Sequence, residues 1–196
     1  MCFISFTTEL SAQSFSKGYL DSVKWFYKDW SSGRKDFINP LILDNTSKPQ
    51  IIDNCIFEIY QNNFDKRPCK VHKMVIDTTL KNGSNPIDSI IITNQEFLSL
   101  LLKLQQSKSF TWTRDFFPGS KIIDTEQFIA AYKDTLTGGA KPTGWVFTLP
   151  LFLRNGAYSI SYYLYHCDDN CSKEGLIVYK NENGHWQEFG IIFKME

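Results

Sequence analysis

Three histidines, five cysteines and a scatter of carboxylates are the side chains of this sequence whose chemistry goes beyond packing. His72, His166 and His185 could each serve as a general base, because imidazole titrates near neutrality. His72 alternates with Val71 and Lys73 in a predicted strand and His185 stands beside a predicted turn, so surface and capping roles compete with that reading. A nucleophile pair of Cys171 with a histidine would need a reduced thiol of lowered pKa. Asp88, Asp124, Glu126 and Glu188 are isolated along the chain, whereas glycoside hydrolysis needs two carboxyl groups about 5 to 9.5 Å apart across a cleft. Asp124 and Glu126 already suit the start of a helix, where a negative charge meets the positive end of the dipole. The patterns G-x-S-x-G, H-E-x-x-H and G-x-G-x-x-G are missing, and Asp168-Asp169-Asn170 lacks the alternate spacing and the glycine of a calcium loop. No catalytic, cofactor or metal residue is assigned.

The cysteines are read through the first twelve residues. Met1 to Ala12 carries the apolar stretch Cys2-Phe3-Ile4-Ser5-Phe6 and ends in Leu10-Ser11-Ala12 before Gln13. This reads as a truncated signal peptide without a positive n-region, with a frayed terminus or short first strand as the alternative. Removing the leader takes Cys2 with it and leaves an even set, Cys55, Cys69, Cys167 and Cys171. In an exported protein, Cys167 and Cys171 are expected to form a disulfide across a tight hairpin loop, contributing about 2 kcal/mol. Cys55 and Cys69 are the residual pair. A metal site of His166, Cys167, Asp168 and Cys171 competes less well, because neighbours in an extended segment point to opposite faces.

These residues must be positioned by a chain of 196 residues with 21 basic and 21 acidic side chains and 16 Phe, 9 Tyr and 5 Trp. Such a length supports one substantial core without help from a metal or cofactor. A balanced charge without a basic cluster lacks the electrostatic footprint of a phosphate backbone, so nucleic acid is not an expected partner. No apolar run approaches the roughly 20 residues of a bilayer span, and no transmembrane segment is expected.

Helical spacing at Leu20, Val23, Tyr27 and Trp30, widened by Phe26 and stopped by Gly33, predicts a first helix. Residues 31 to 50 read as a polar excursion with a short apolar contact at Leu41-Ile42-Leu43. Cys55 to Tyr60 could be a strand or a helix, and Val71 to Thr79 reads as a strand after a loop Gln61 to Pro68. Thr93-Asn94-Gln95-Glu96 is a capping box that opens a helix over about 94 to 107. Asp124-Thr125-Glu126-Gln127 opens another carrying Phe128, Ile129 and Tyr132. Gly138 to Gly144 reads as a linker.

Two Asn-Gly pairs, Asn155-Gly156 and Asn183-Gly184, predict type I′ hairpin turns and fix a register. Pairing Arg154 with Ala157 places Phe147, Leu149, Leu151 and Leu153 on one face with Tyr158, Ile160, Tyr162 and Leu164. Pairing Glu182 with His185 puts Leu176 and Val178 beside Phe189, Ile191 and Phe193. A Cys167–Cys171 clamp opposes Ile160 to Val178 and Tyr162 to Leu176, so the three hairpins agree on the buried face. Pro150 must occupy an edge or a position without a ladder bond. The expected fold is α+β, with N-terminal and central helices on one face of a C-terminal four-stranded antiparallel meander. Residues 13–196 form one domain in this reading, with 13–89 as its N-terminal part and 90–196 as helices plus sheet.

Thr148-Leu149-Pro150-Leu151-Phe152, Tyr162-Tyr163, Cys167 with Cys171, Gly175 to Lys180, and Gly184-His185-Trp186 together carry a resemblance over roughly residues 90 to 196. The chain resembles an uncharacterised family of bacterial cell-envelope proteins with an S-x-P-[ILV]-F motif, a C-x-x-x-C hairpin, a strand ending in Tyr-Lys and a closing Gly-x-Trp. Here Thr148 replaces the usual serine, and Ser172 stands where a glycine often follows the second cysteine. The resemblance implies the fold and a periplasmic or secreted location, and it transfers no catalytic residue.

The second face of the meander reads Phe152, Ser159, Ser161, Tyr163, Tyr165, Ile177, Tyr179, Trp186 and Ile192. It is either covered by the N-terminal segment or a dimer partner, or it is a recognition surface. The expected function is a non-catalytic binding module using Tyr163, Tyr165, Tyr179 and Trp186 to hold a protein, peptide or glycan. A hydrolase with a site between sheet and helices, and a toxin-neutralising or assembly subunit, are the alternatives.

Overall fold

The computed structural model describes residues 15–32, 34, 37, 40–44, 48–62, 69–72, 89–134, 143–168 and 171–195. The leader and Gly33 lie outside these residues. Helix α1, Lys17–Ser31, starts where the Ser16 side chain accepts the Tyr19 N–H at 3.3 Å. The expected stripe is buried at Val23, Phe26, Tyr27 and Trp30. Helix α3, Asn94–Ser107, has the anticipated capping box: Thr93 Oγ1 accepts the Glu96 N–H at 3.2 Å, and the Glu96 carboxylate accepts the Thr93 N–H at 2.8 Å. Helix α4, Thr125–Asp134, is capped by Asp124, whose carboxylate accepts the Gln127 N–H at 2.8 Å.

Between α1 and α3 the structure resolves the open readings. Cys55 to Tyr60 belongs to helix α2, Lys48–Asn62, and Ile52, Cys55, Ile56 and Ile59 are buried at helical spacing. Pro49 is tolerated because it lies in the first turn, where no intrahelical partner is lost. Leu41–Leu43 is strand β1 rather than a loop contact. Strand β2, Cys69–His72, begins earlier than expected and pairs antiparallel with β3, Ser89–Ile92; residues 73–79 lie outside the described residues.

The remaining strands are β4 (Lys121–Ile123), β5 (Gly144–Phe147), β6 (Leu151–Leu153), β7 (Tyr158–Asp168), β8 (Cys171–Glu182) and β9 (His185–Met195). They join β1 in one seven-stranded mixed sheet of order β4-β1-β5-β7-β8-β9, with β6 beside β7. β1 is parallel to both β4 and β5, and the other pairs are antiparallel. The α+β class therefore holds, but the sheet is larger than a four-stranded meander. Gly144 is part of it and not of a linker. A Cβ at Gly144 would lie 2.8 Å from the Phe128 ring and 3.1 Å from Leu43, so its missing side chain is what lets α4 approach.

Helices also cover both faces rather than one. Ile52, Ile56 and Ile59 of α2 and Leu100 and Leu104 of α3 pack on Leu153, Ile160, Tyr162, Leu176, Val178 and Phe189. Phe128 of α4 extends this layer over Leu43, Ile123 and Val146. On the opposite face α1 packs on Trp145, Phe147, Ile177 and Tyr179, joined by Trp112, Phe116 and Phe117 from the segment after α3.

The hairpin registers agree with expectation beside the β6–β7 and β8–β9 turns and along the body of β7–β8. Leu153 opposes Tyr158, Ile160 opposes Val178, Tyr162 opposes Leu176 and Glu182 opposes His185. Asn183 and Gly184 have positive φ, 54° and 85°, as a type I′ turn demands; at the other turn Arg154 joins Asn155 and Gly156 at positive φ, and residues 154–157 form a four-residue turn in which Arg154 and Ala157 are not a ladder pair. Farther from the turns, irregularities reverse the faces. Between Phe147↔Tyr163 and Leu151↔Ile160, three residues oppose two, so Phe147 and Leu149 face α1 and not the core of Leu151 and Leu153. Pro150, with no N–H to donate, sits in this bulge. On β9 the pairing shifts twice, placing Ile191 toward α1 and Ile192 toward α2 and α3, opposite to the expected assignment of each.

At the β7–β8 tip the register also slips: His166 opposes Ser172, and Asp168, not Cys167, opposes Cys171. The side chains of Cys167 and Cys171 lie outside the described residues, as does that of Cys69. Cys55 is buried on the core-facing side of α2.

Candidate functional site: an aromatic face beneath helix α1

The rings on the α1 side of the sheet form one continuous stack. Phe26 meets Phe152 at 6.1 Å, Tyr179 at 5.2 Å and Trp186 at 5.3 Å between centroids. One turn on, Trp30 meets Trp145 at 5.5 Å, Phe147 at 5.1 Å and Tyr163 at 6.3 Å. Most of these pairs are edge-to-face, the arrangement that ring quadrupoles favour. Ser159 and Ser161, opposite Tyr179 and Ile177, leave the room that the α1 rings fill.

The four residues expected to bind do share this face, but they divide into two environments. Tyr179 is 2% exposed and Trp186 8% exposed, so both belong to the core under α1. The Tyr179 hydroxyl accepts the Trp30 indole N–H at 3.0 Å, and burial holds its phenol well above the ordinary range, hence neutral. Trp25 lies over Trp186 at 5.6 Å and remains 41% exposed. Tyr163 and Tyr165 are half-buried on β7, with Tyr163 in contact with Trp30 in the last turn of α1. Their rings rest on Trp145 at 5.9 and 4.4 Å, and Trp145 is itself 1% exposed.

The titratable residues are placed at separate points. His185 Nδ1 lies 3.0 Å from the Asp29 carboxylate, which also accepts the Trp186 N–H at 2.6 Å, so Asp29 of α1 clasps the β8–β9 turn. His185 thus stands beside the β8–β9 turn, where the sequence places it. Glu188 pairs with Arg34, whose guanidinium lies 4.0 Å above the Trp30 ring. His166 meets the Phe128 ring edge-on at 5.7 Å. Glu126 is exposed in the first turn of α4. Asp88 and the His72 side chain lie outside the described residues.

One buried charged pair was missed by the sequence reading. Asp44, directly after β1, binds the ammonium of Lys48 at the start of α2, and both side chains are buried. Lys48 also donates to the Phe110 carbonyl, while Asp44 accepts the Trp112 N–H at 3.2 Å. Burial lowers the Lys48 amine below its ordinary value, and Asp44 opposes that shift. The pair sits at the carboxyl end of a parallel strand, where α/β sheets place ligands. Here its hydrogen bonds tie β1, α2 and the segment after α3 together. The only sequence signal was the i, i+4 spacing of Asp44 and Lys48 within a polar stretch.

Among the described residues, no group of three or more His, Cys, Asp or Glu side chains is placed to hold a metal, and no helix is long and apolar enough to cross a membrane. No protein-family model matches the chain, and no curated protein or solved structure is significantly similar to it.

Proposed function

We propose that the chain is a non-catalytic binding module whose recognition surface is the Tyr163–Tyr165 end of the aromatic face. The observation that carries this reading is the seating of two half-buried tyrosine rings on the buried Trp145. Residues two apart on a strand present their rings side by side, about 6.8 Å along the chain. Rings already held by a packed neighbour lose little freedom on binding, and a tyrosine offers both a flat apolar face and a hydroxyl. The ligand is a protein, peptide or glycan. Its test is a panel of defined peptides and glycans presented to the wild type and to the Tyr163→Ser, Tyr165→Ser double variant. Binding by the wild type that the equally folded variant loses supports the reading; binding that survives in the variant overturns it.

Export to the bacterial envelope belongs to the same proposal, supported by the Leu10-Ser11-Ala12 sequence before Gln13 and by the even cysteine set that follows. N-terminal sequencing of the protein from fractionated cells tests it: a start near Gln13 in the envelope fraction is expected, and an intact Met1 in the cytoplasmic fraction contradicts it.

A further inference from the structure

We draw no further inference here: the strongest candidate, the aromatic patch at the β8–β9 hairpin end of the sheet, where Trp25 of α1 is exposed over Trp186 and the Ser159 hydroxyl and Trp186 indole N–H are buried without a hydrogen-bond partner among the described residues, carries nothing because nothing in the structure shows what covers it.

Discussion

Asp44 and Lys48, four residues apart, form a buried ion pair that fastens the end of β1 to the first turn of α2. Removing two charges from water is costly, and their attraction recovers that cost only when the remaining hydrogen bonds are made. Here they are made, to the Phe110 carbonyl and the Trp112 N–H. The pair therefore works as a joint between segments and cannot be judged by its Coulomb energy alone. Lys48→Met should destabilise the fold by about 3–5 kcal/mol, because a buried carboxylate loses its cation. Asp44→Asn combined with Lys48→Met should cost less than that single change, since no net charge remains to be buried. Urea unfolding of the three proteins decides it, and a double variant no more stable than Lys48→Met alone would contradict the joint.

The same pair has a pH signature. The Lys48 amine is lowered by burial from an ordinary value of 10.5. Between the folded and unfolded values the unfolded chain binds the extra proton, so this group makes stability rise with pH up to about 10.5 and adds a constant penalty below that window. The phenols of Tyr19, Tyr27, Tyr162 and Tyr179 are raised above 10.0 by burial, which has the opposite consequence. Their contribution is complete below about pH 10 and is lost as pH climbs beyond it. Alkaline titration followed by phenolate absorbance and circular dichroism should show these tyrosines ionising together with unfolding. Smooth ionisation of all tyrosines near pH 10 with the fold intact would contradict their burial.

How much of this was legible depends on the range over which each signal acts. Helix α1 and helix α3 announce themselves locally, through Ser16 and Thr93 at their starts and an apolar stripe of period near 3.6. The β6–β7 and β8–β9 hairpins are legible because an Asn-Gly turn fixes pairing a few residues away. Leu41–Leu43 and Lys121–Ile123 are three-residue strands paired in parallel across some eighty residues, and such pairing leaves no periodic trace. The bulges were hidden for another reason: one extra residue reverses every face beyond it, as Leu149 and Ile191 demonstrate. For the candidate site, alternation placed all four aromatic residues on the correct face, and the N-terminal segment, one of the covers weighed for that face, supplies the roof over Tyr179 and Trp186; which of the four it covers depends on packing between residues more than a hundred positions apart.

Thr148 supplies the hydrogen bond that the bulge would otherwise forfeit. Its hydroxyl accepts the Tyr162 N–H at 3.1 Å while its own N–H donates to the Tyr162 carbonyl at 3.2 Å, and its carbonyl accepts from Tyr27. Leu149, next in the bulge, donates its N–H to Ser107 Oγ at 2.8 Å. Thr148→Val keeps the shape but leaves the Tyr162 N–H buried without an acceptor, and should cost about 1–3 kcal/mol. Thr148→Ser should retain most of that stability. Equal losses in the two variants, measured by thermal unfolding, would assign the effect to packing of the methyl group instead.

Ile160 and Ile191 test the reversed face. Ile160 is fully buried between the sheet and α2–α3, so Ile160→Ala should cost about 2–5 kcal/mol. Ile191 is half-buried on the α1 side, and Ile191→Ala should cost clearly less. Guanidinium denaturation of both variants measures the difference; a larger loss at Ile191 would mean that the β9 pairing lacks its two shifts.

The division of the aromatic face into a core half and a binding half gives the most direct test of function. Tyr179 and Trp186 are buried under α1 against Phe26, so Tyr179→Ser with Trp186→Ser removes two core side chains, and each large-to-small change of that kind costs about 3–5 kcal/mol. That is comparable with the whole stability of a typical domain, and the variant is expected to unfold. Tyr163 rests on Trp145 and Trp30 and Tyr165 on Trp145, yet both remain half-buried, so Tyr163→Ser with Tyr165→Ser should lower stability less. The two pairs differ little in chemistry and lie on the same sheet face, which makes each the control for the other. If the Tyr163 and Tyr165 pair proves as destabilising as the Tyr179 and Trp186 pair, the whole face is core and the recognition surface must be sought elsewhere. If it instead leaves the unfolding midpoint within a few degrees while abolishing capture of a defined peptide or glycan, the half-buried end of the face is where this protein binds.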